Sequence, residues 1–158
     1  MIVVSDTTPL NYLILIDSAE VLTTIFGRVY VPSAVINELL HARSPEAVRA
    51  WASSAPEWVT VQDPTSLAPS KIGAGETAAI SLALELKADR VLIDDRDASK
   101  EARRKGLDLV GTLGILEEAA RRGLIDIEQS IKRLKETNFR AGETLYQALR
   151  DRLRDCAK

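Results

Sequence analysis

Short apolar segments alternate along the chain with longer segments of helical periodicity. The apolar segments predict strands at residues 2–4, 29–31, 58–61, 90–93 and 107–110. Apolar residues at three- and four-residue spacing predict helices at 8–16, 19–26, 33–41, 45–54, 75–87, 97–105, 112–122, 126–137 and 143–156. Strands that alternate with such helices are typical of a parallel sheet. The pattern therefore predicts an α/β protein with a central parallel sheet of four to five strands.

Local signals mark where several of these helices begin. Thr8, which precedes Pro9, is the expected N-cap of the first helix, and Asp97 and Thr112 are expected to cap two later helices. Residues 62–74 are rich in Pro, Ser and Gly, so we expect them to form the longest loop.

The length of 158 residues suits one domain. We expect a single domain over residues 1–158, with a core at 1–122 and a C-terminal helical extension at 123–158. Apolar residues make up 46% and charged residues 28%, which is the composition of an ordinary globular protein. The chain lacks the basic segment of a signal peptide and any run of about 18 apolar residues that could cross a membrane. A cytoplasmic protein without membrane contact is therefore expected.

Cysteine and histidine occur once each, as Cys156 and His41. A disulfide framework and a CxxC metal site are therefore excluded, as is a histidine-rich zinc or copper site. The single histidine also argues against a Ser-His-Asp triad.

Charged residues are unevenly distributed along the chain. The net charge is −2, but residues 1–120 hold 17 acidic against 11 basic residues, whereas residues 121–158 hold 6 against 10. An acidic body could hold a cation, and a basic end could contact a phosphate backbone. Solvated helices with surplus arginine explain the same distribution, so charge alone leaves both explanations open.

Acidic residues follow two of the predicted strands. Asp6 comes after the first strand, and Asp94, Asp95 and Asp97 come after the fourth. In a parallel sheet, ligands bind beyond the carboxyl ends of the strands, which meet at one edge. The two groups of aspartates are therefore expected to lie together at that edge.

Two glutamates on predicted helices could reach the same edge. Glu38 lies at the flank of an apolar stripe, and Glu76 lies in the first turn of the helix before the fourth strand. Carboxylates without matching cations repel one another, and a bound Mg²⁺ or Mn²⁺ would relieve that repulsion. A surface position for Glu38 and a favourable contact of Glu76 with the helix dipole are the simpler alternatives.

Strand alternation separates the neighbouring aspartates. If the fourth strand continues past Ile93, Asp95 shares a face with Ile93 and Asp97, and Asp94 points the other way. We therefore expect Asp95 to be the principal ligand, with Asp94 and Asp97 as alternates or helpers.

Four segments resemble, in order, the motifs of the PIN domain, the fold of VapC-type toxin ribonucleases. They are SDTTPL at 5–10, VPSAVINEL at 31–39, GETAAI at 75–80 and IDDRD at 93–97. The segment GTLGIL at 111–116 resembles a prokaryotic PIN subgroup with extra C-terminal helices. The sequence departs from the motifs at Glu76, where aspartate is common, and at Ile93, where Thr or Ser is usual. Neither departure removes a carboxylate.

The resemblance implies a PIN-like three-layer α/β/α fold and a metal-dependent ribonuclease that hydrolyses RNA phosphodiester bonds with Mg²⁺ or Mn²⁺. The residues that it implies to be catalytic are Asp6, Glu38, Glu76 and Asp95. The residues expected to bind the metal are these four together with Asp94 and Asp97.

Contacts with RNA and with proteins follow from the same resemblance. Arg96, Lys100 and Thr7 are candidates for contacts to the RNA, although solvated helix charge explains Arg96 and Lys100 equally well. The family resemblance also implies the toxin of a toxin–antitoxin pair, a cognate antitoxin protein as partner, and a homodimer. Apolar residues at 13, 14 and 16 could supply a dimer face, or could simply belong to the core.

Other functions fit the sequence less well. The chain could be a catalytically weak or inactive PIN-like binding module that acts through a protein partner. A haloacid-dehalogenase-like enzyme would need a second acid where Thr8 follows Asp6. A response-regulator receiver would need its acidic pair after the first strand, whereas the pair here follows the fourth.

Overall fold

A five-stranded parallel sheet forms the centre of the computed structural model, which describes residues 1–68 and 72–156. The strands are β1 (Val3–Ser5), β2 (Val29–Val31), β3 (Val59–Val61), β4 (Arg90–Leu92) and β5 (Leu109–Val110). Their order is β3-β2-β1-β4-β5, and every neighbouring pair is parallel. The predicted α/β class with a parallel sheet of four to five strands is confirmed.

Helices cover both faces of this sheet and complete the three-layer α/β/α arrangement. They are α1 (Thr7–Leu15), α2 (Val21–Phe26), α3 (Ser33–Leu39), α4 (Glu46–Ser53), α5 (Ala74–Leu86), α6 (Arg96–Arg104), α7 (Thr112–Arg121), α8 (Ile127–Lys135) and α9 (Glu143–Cys156). Buried side chains of α5 and α6 form one apolar cluster, and those of the other helices form a larger cluster on the opposite face. Residues 69–71 of the predicted loop lie outside the described residues.

Strand residues alternate between the two apolar clusters. Val3 and Leu92 belong to the larger cluster, and their neighbours Val4 and Val91 belong to the smaller one. This is the two-residue period of a strand, with successive side chains on opposite faces. Because both faces are covered, the strands consist of nearly continuous apolar residues.

The C-terminal helices pack into the larger cluster. Ile131 and Leu134 of α8, and Tyr146 and Leu149 of α9, are almost completely buried there. The predicted extension at 123–158 therefore shares apolar contacts with the rest of the chain.

The start of α1 differs from the prediction. Asp6, not Thr8, is the N-cap residue, and it has extended backbone and makes no side-chain capping bond. Thr8 and Pro9 lie inside the first turn. Proline is accommodated there because the first N–H groups of a helix have no intrahelical partner. The chain therefore passes from β1 into α1 through Asp6 alone.

Two other expected caps are also wrong. Asp95, not Asp97, caps α6, and its carboxylate accepts a hydrogen bond from the Ala98 N–H at 2.9 Å. Gly111 is the N-cap residue of α7, and Thr112 is the first residue of that helix. The strand β4 ends one residue earlier than predicted, so the turn that follows it reaches helical geometry sooner.

The apolar residues at 13, 14 and 16, in α1 and directly after it, belong to the core of this chain. Leu13 and Ile16 are buried in the larger cluster, and Ile14 packs against it. They are therefore core residues rather than a free dimer face, and the homodimer stays a prediction without that support. Among the helices of the described ranges, none has the length and hydrophobicity that crossing a bilayer requires.

The shared core predicts the effect of a substitution in α9. Replacing the buried Leu149 by alanine should lower the free energy of unfolding of the whole chain by about 2–5 kcal/mol. Leu145 of the same helix has 55% of its surface exposed, so Leu145→Ala should change it by no more than about 0.5 kcal/mol. Urea unfolding followed by circular dichroism measures both. A separate early transition of the C-terminal helices, with the main transition unchanged, would contradict the shared core.

Candidate functional site

The acidic residues lie where the connections of the sheet diverge. The strands β1 and β4 are neighbours, but β1 leads towards β2 and β3 on one side and β4 leads towards β5 on the other. Such a switch point leaves a crevice at the carboxyl ends of the two strands. Asp6 follows β1, and its N–H donates to the Leu92 carbonyl of β4 at 2.9 Å. The structure thereby brings Asp6 next to the segment at 93–97.

The Asp6 carboxylate is buried without a hydrogen-bond partner. The residue is 1% exposed, and within residues 1–68 and 72–156 neither carboxylate oxygen meets a donor. The pKa of Asp6 is raised to about 7, mainly by burial and in addition by the nearby charges of Glu76, Glu38 and Asp94. The nearby backbone N–H of Thr7 lowers the pKa of Asp6, although it does not form a hydrogen bond with the Asp6 carboxylate. A buried carboxylate without a partner is costly, so its presence calls for a functional explanation.

Glu38 is held between the starts of two helices. The Thr7 hydroxyl of α1 donates to Glu38 Oε2, and the Gly75 N–H of α5 donates to Glu38 Oε1 at 3.0 Å. A Cβ atom at position 75 would lie 2.6 Å from both carboxylate oxygens, so only glycine allows this close approach. Glu38 is therefore directed towards the site, and the alternative of a solvated surface position does not hold.

Glu76 lies in the first turn of α5 and is half-buried. Burial raises its pKa, the repulsion of Glu38 and Asp95 raises it further, and its own backbone N–H opposes the rise. A Cβ atom on Gly73 would collide with Glu76 Oε2. Glu76 therefore belongs to the same electrostatic group as Asp6, in addition to any contact with the dipole of its helix.

Asp94 is fixed to the start of α7. Thr112 donates its backbone N–H to Asp94 Oδ1 at 2.9 Å and its hydroxyl to Asp94 Oδ2. Burial raises the pKa of Asp94, and these two hydrogen bonds oppose the rise. A Cβ atom on Gly111 would lie 2.7 Å from Asp94 Oδ1. Sequence reasoning missed Thr112 as a site residue, although the GTLGIL segment contained the signal.

The neighbouring aspartates have different positions. Asp95 is exposed, caps α6 and raises the pKa of Glu76 through its charge. Asp97 is exposed in the first turn of α6. The preference for Asp95 depended on β4 continuing past Ile93, but β4 ends at Leu92. Of these three aspartates, Asp94 is the one whose charge raises the pKa of Asp6. The geometry therefore favours Asp94 beside Asp6, while ligand roles for Asp95 and Asp97 stay predictions.

The three candidates for RNA contact differ in their surroundings. The Thr7 hydroxyl is engaged with Glu38. Arg96 and Lys100 are exposed on α6, and neither side chain forms a hydrogen bond or a salt bridge within the part of the chain that the structure describes. They are free to contact a phosphate, and that role stays a prediction.

The donor chemistry of this group fits a hard divalent cation. Carboxylate oxygens are the ligands that Mg²⁺ and Mn²⁺ prefer, and the two Asp6 oxygens accept no hydrogen bond from any residue that the structure describes. Among the described residues, however, no three acidic, histidine or cysteine side chains already stand in an arrangement that could hold a metal ion. The acids are close enough to raise one another's pKa values, but the described residues do not form a ready-made set of metal ligands.

The raised pKa of Asp6 predicts how the stability of the cation-free protein, kept in buffer with a chelator, depends on pH. Between pH 3.8 and about 7 the folded chain keeps a proton on Asp6 that the unfolded chain releases. The free energy of unfolding should therefore fall as pH rises through this window, by an amount on the order of 4 kcal/mol. Asp6→Asn should weaken this dependence and be the more stable form above pH 7. Urea unfolding of both proteins at about pH 5 and pH 8 measures it, and equal slopes would contradict it.

Known proteins resemble this chain in sequence and in fold. The DUF3368 family model, described as a PIN domain, matches residues 2–155. A PilT N-terminus domain protein from the hyperthermophilic archaeon Sulfolobus solfataricus P2 has a similar fold, with a TM-score of 0.54 and 15% sequence identity. That match covers 75% of this chain and 93% of the archaeal chain. No curated protein matches the sequence. The chain belongs to the PIN-domain family, whose fold is of the nuclease type.

Proposed function

We propose that this chain is a Mg²⁺- or Mn²⁺-dependent endoribonuclease that hydrolyses RNA phosphodiester bonds. The observation that carries the proposal is the buried Asp6 carboxylate, which has no donor in the described ranges and is repelled by Glu38, Glu76 and Asp94. A bound cation is the partner that would offset both burial and repulsion. Membership of the PIN family supports the proposal, because PIN domains are generally nucleases.

Asp6 would bind the cation through its free oxygens, together with Glu38, Glu76 and Asp94. Asp95, beside Glu76, would complete the group, with Asp97 as a further predicted ligand. When bound, a divalent cation lowers the pKa of a coordinated water and neutralises charge that develops on the phosphate.

The residues of the chain itself prepare the site. Thr7 and Gly75 orient Glu38, and Thr112 orients Asp94, so that these carboxylates keep fixed directions. Because the pKa of Asp6 is raised to about 7, its carboxylate is only partly ionised near pH 7 when no cation is present. The remaining carboxylates repel an RNA phosphate under those conditions, so the cation-free protein should be nearly inactive.

The cellular role that we propose is that of a toxin paired with an antitoxin protein. The resemblance of the four acidic motifs to those of VapC-type toxins supports this role, as well as a cytoplasmic homodimer. The basic C-terminal end offers charge for either RNA or the antitoxin.

One observation favours a second candidate, a weak or inactive binding module that acts through a protein partner. In the part of the chain described, Glu38 and Asp94 have both carboxylate oxygens engaged by hydrogen bonds, and the acids form no ready metal cage. An arginine from a partner could bind among such carboxylates.

Asp6→Asn tests the catalytic proposal. The Mn²⁺-dependent cleavage of single-stranded RNA should fall roughly a hundredfold or more, the scale of losing one contact to developing charge. Asp17→Asn is the matched control, because Asp17 is exposed beyond the far end of α1 and asparagine accepts its positive φ of 58°. Unchanged cleavage by folded Asp6→Asn protein would exclude Asp6 from the mechanism.

Co-expression with the product of the adjacent gene separates the two candidates. The chain purified alone should cleave RNA when Mn²⁺ is added, and the chain purified with its partner should be inhibited. A folded chain that shows no metal-dependent cleavage, yet forms a stable complex with that partner, would favour the binding module.

A further inference from the structure

A groove of about 560 Å³ opens beside the acidic site. Asp94 and Asp95 line it together with Tyr12 of α1 and with Phe139 and Arg140, which lie between α8 and α9. Its volume is within the range of about 300–1,000 Å³ that is typical of small-ligand sites. The groove therefore adjoins the acidic site through Asp94 and Asp95 and is large enough for one nucleotide.

Two aromatic rings border the groove and are held together. The Tyr12 and Phe139 rings pack edge to face, with centroids 4.9 Å apart and planes at 85°. The Tyr12 hydroxyl also donates to Asn138 Oδ1 at 2.8 Å, which ties the segment after α8 to α1. Aromatic side chains of this kind are the platforms on which proteins stack the bases of single-stranded RNA.

Arg140 supplies a positive charge without a partner. It is exposed, and its side chain has no salt bridge or hydrogen bond to any described residue. By contrast, Arg150, Arg152 and Arg154 of α9 each pair with an acid. Burial raises the pKa of Tyr12. The negative charge of Asp94 raises this pKa further and the positive charge of Arg140 lowers it, so both charges are close enough to the Tyr12 side chain to affect its ionisation. The groove thus combines a free guanidinium with aromatic surface.

We propose that this groove binds the nucleotide next to the scissile phosphate of single-stranded RNA, with the base against the Tyr12–Phe139 pair and a backbone phosphate at Arg140. This inference rests on the proposed nuclease function, because continuity with the acidic site is what makes RNA the occupant. A nucleotide carries an aromatic ring and an anion, and it therefore satisfies both features of the groove. A partner peptide that placed an arginine among the carboxylates would leave Arg140 unpaired and would be repelled by it.

Binding of a labelled single-stranded RNA of about eight nucleotides tests the inference. Fluorescence anisotropy is measured on the full chain in Mg²⁺, with a denaturing gel to verify that the probe is intact. Arg140→Gln and Phe139→Leu should each raise the Kd about tenfold. Arg140→Gln should also lower the slope of log Kd against log salt by about 0.7, the contribution of one phosphate contact on a single strand.

Lys87→Asn is the matched control. Lys87 ends α5 ahead of β4, at the sheet edge opposite the acids, and asparagine accepts its positive φ of 54°. The substitution removes one positive charge, as Arg140→Gln does, and should change the Kd less than about twofold. Thermal melting of each variant checks folding, and the exposed Arg140 can be replaced without disturbing the core.

Several results would overturn the groove proposal. The first is a wild-type chain that does not bind the probe, and the second is binding by Arg140→Gln and Phe139→Leu that equals that of the Lys87→Asn control. The third is unchanged RNA binding with lost capture of the adjacent gene product, which would make the groove a protein contact. Because the readout is binding, weaker binding by the variants of a chain that cleaves nothing would overturn the nuclease proposal and leave only the binding of RNA in the groove.

Discussion

Burial of the Asp6 carboxylate, to which repulsion by the neighbouring acids adds, is the constraint on which the site depends. The sheet order places β1 beside β4, so Asp6 and Asp94 become neighbours although 87 residues lie between them in the chain. Asp6 is then 1% exposed and has no hydrogen-bond donor from the described residues to stabilise its charge. The apolar clusters on both faces of the sheet must supply the stability that this arrangement costs.

The surrounding elements control the direction of the other acids. Hydrogen bonds from Thr7 and Gly75 fix Glu38, and those from Thr112 fix Asp94, whereas the Asp6 carboxylate accepts none from residues 1–68 and 72–156. These donors belong to the first turns of α1, α5 and α7, where backbone N–H groups are otherwise unpaired. Three helix starts at one sheet edge thus serve as the supports of an acidic centre.

The C-terminal helices connect the core to the site. Their buried side chains complete the larger apolar cluster, and the segment between them brings Phe139 and Arg140 to the acidic edge. The uneven charge along the sequence therefore has a spatial counterpart, since Arg140 from the basic C-terminal part lines the same groove as Asp94 and Asp95. A single packed unit carries both signs of charge at adjacent positions.

The periodicity of apolar residues predicted the helices and strands well, but it did not predict which distant residues are in contact. Alternating strands and helices followed from the apolar pattern, and the parallel sheet implied that Asp6 would lie near the segment at 93–97. The choice between Asp94 and Asp95 depended on where β4 ends, and a difference of one residue there changes the outcome. The contact of Thr112 with Asp94 and the place of Arg140 in the groove depend on tertiary packing, which no sequence period encodes, although the GTLGIL segment had drawn attention to Thr112.

The close approach of glycines to the acids has a consequence for the comparison of related sequences. Each of three carboxylates adjoins a glycine at a distance that would not admit one more carbon atom. These glycines are as much a part of the centre as the acids, because a methyl group would displace the charge that it meets. Relatives that keep the carboxylates but fill these positions would have lost the arrangement while still matching the acidic motifs. The pairs are Gly75 with Glu38, Gly111 with Asp94 and Gly73 with Glu76.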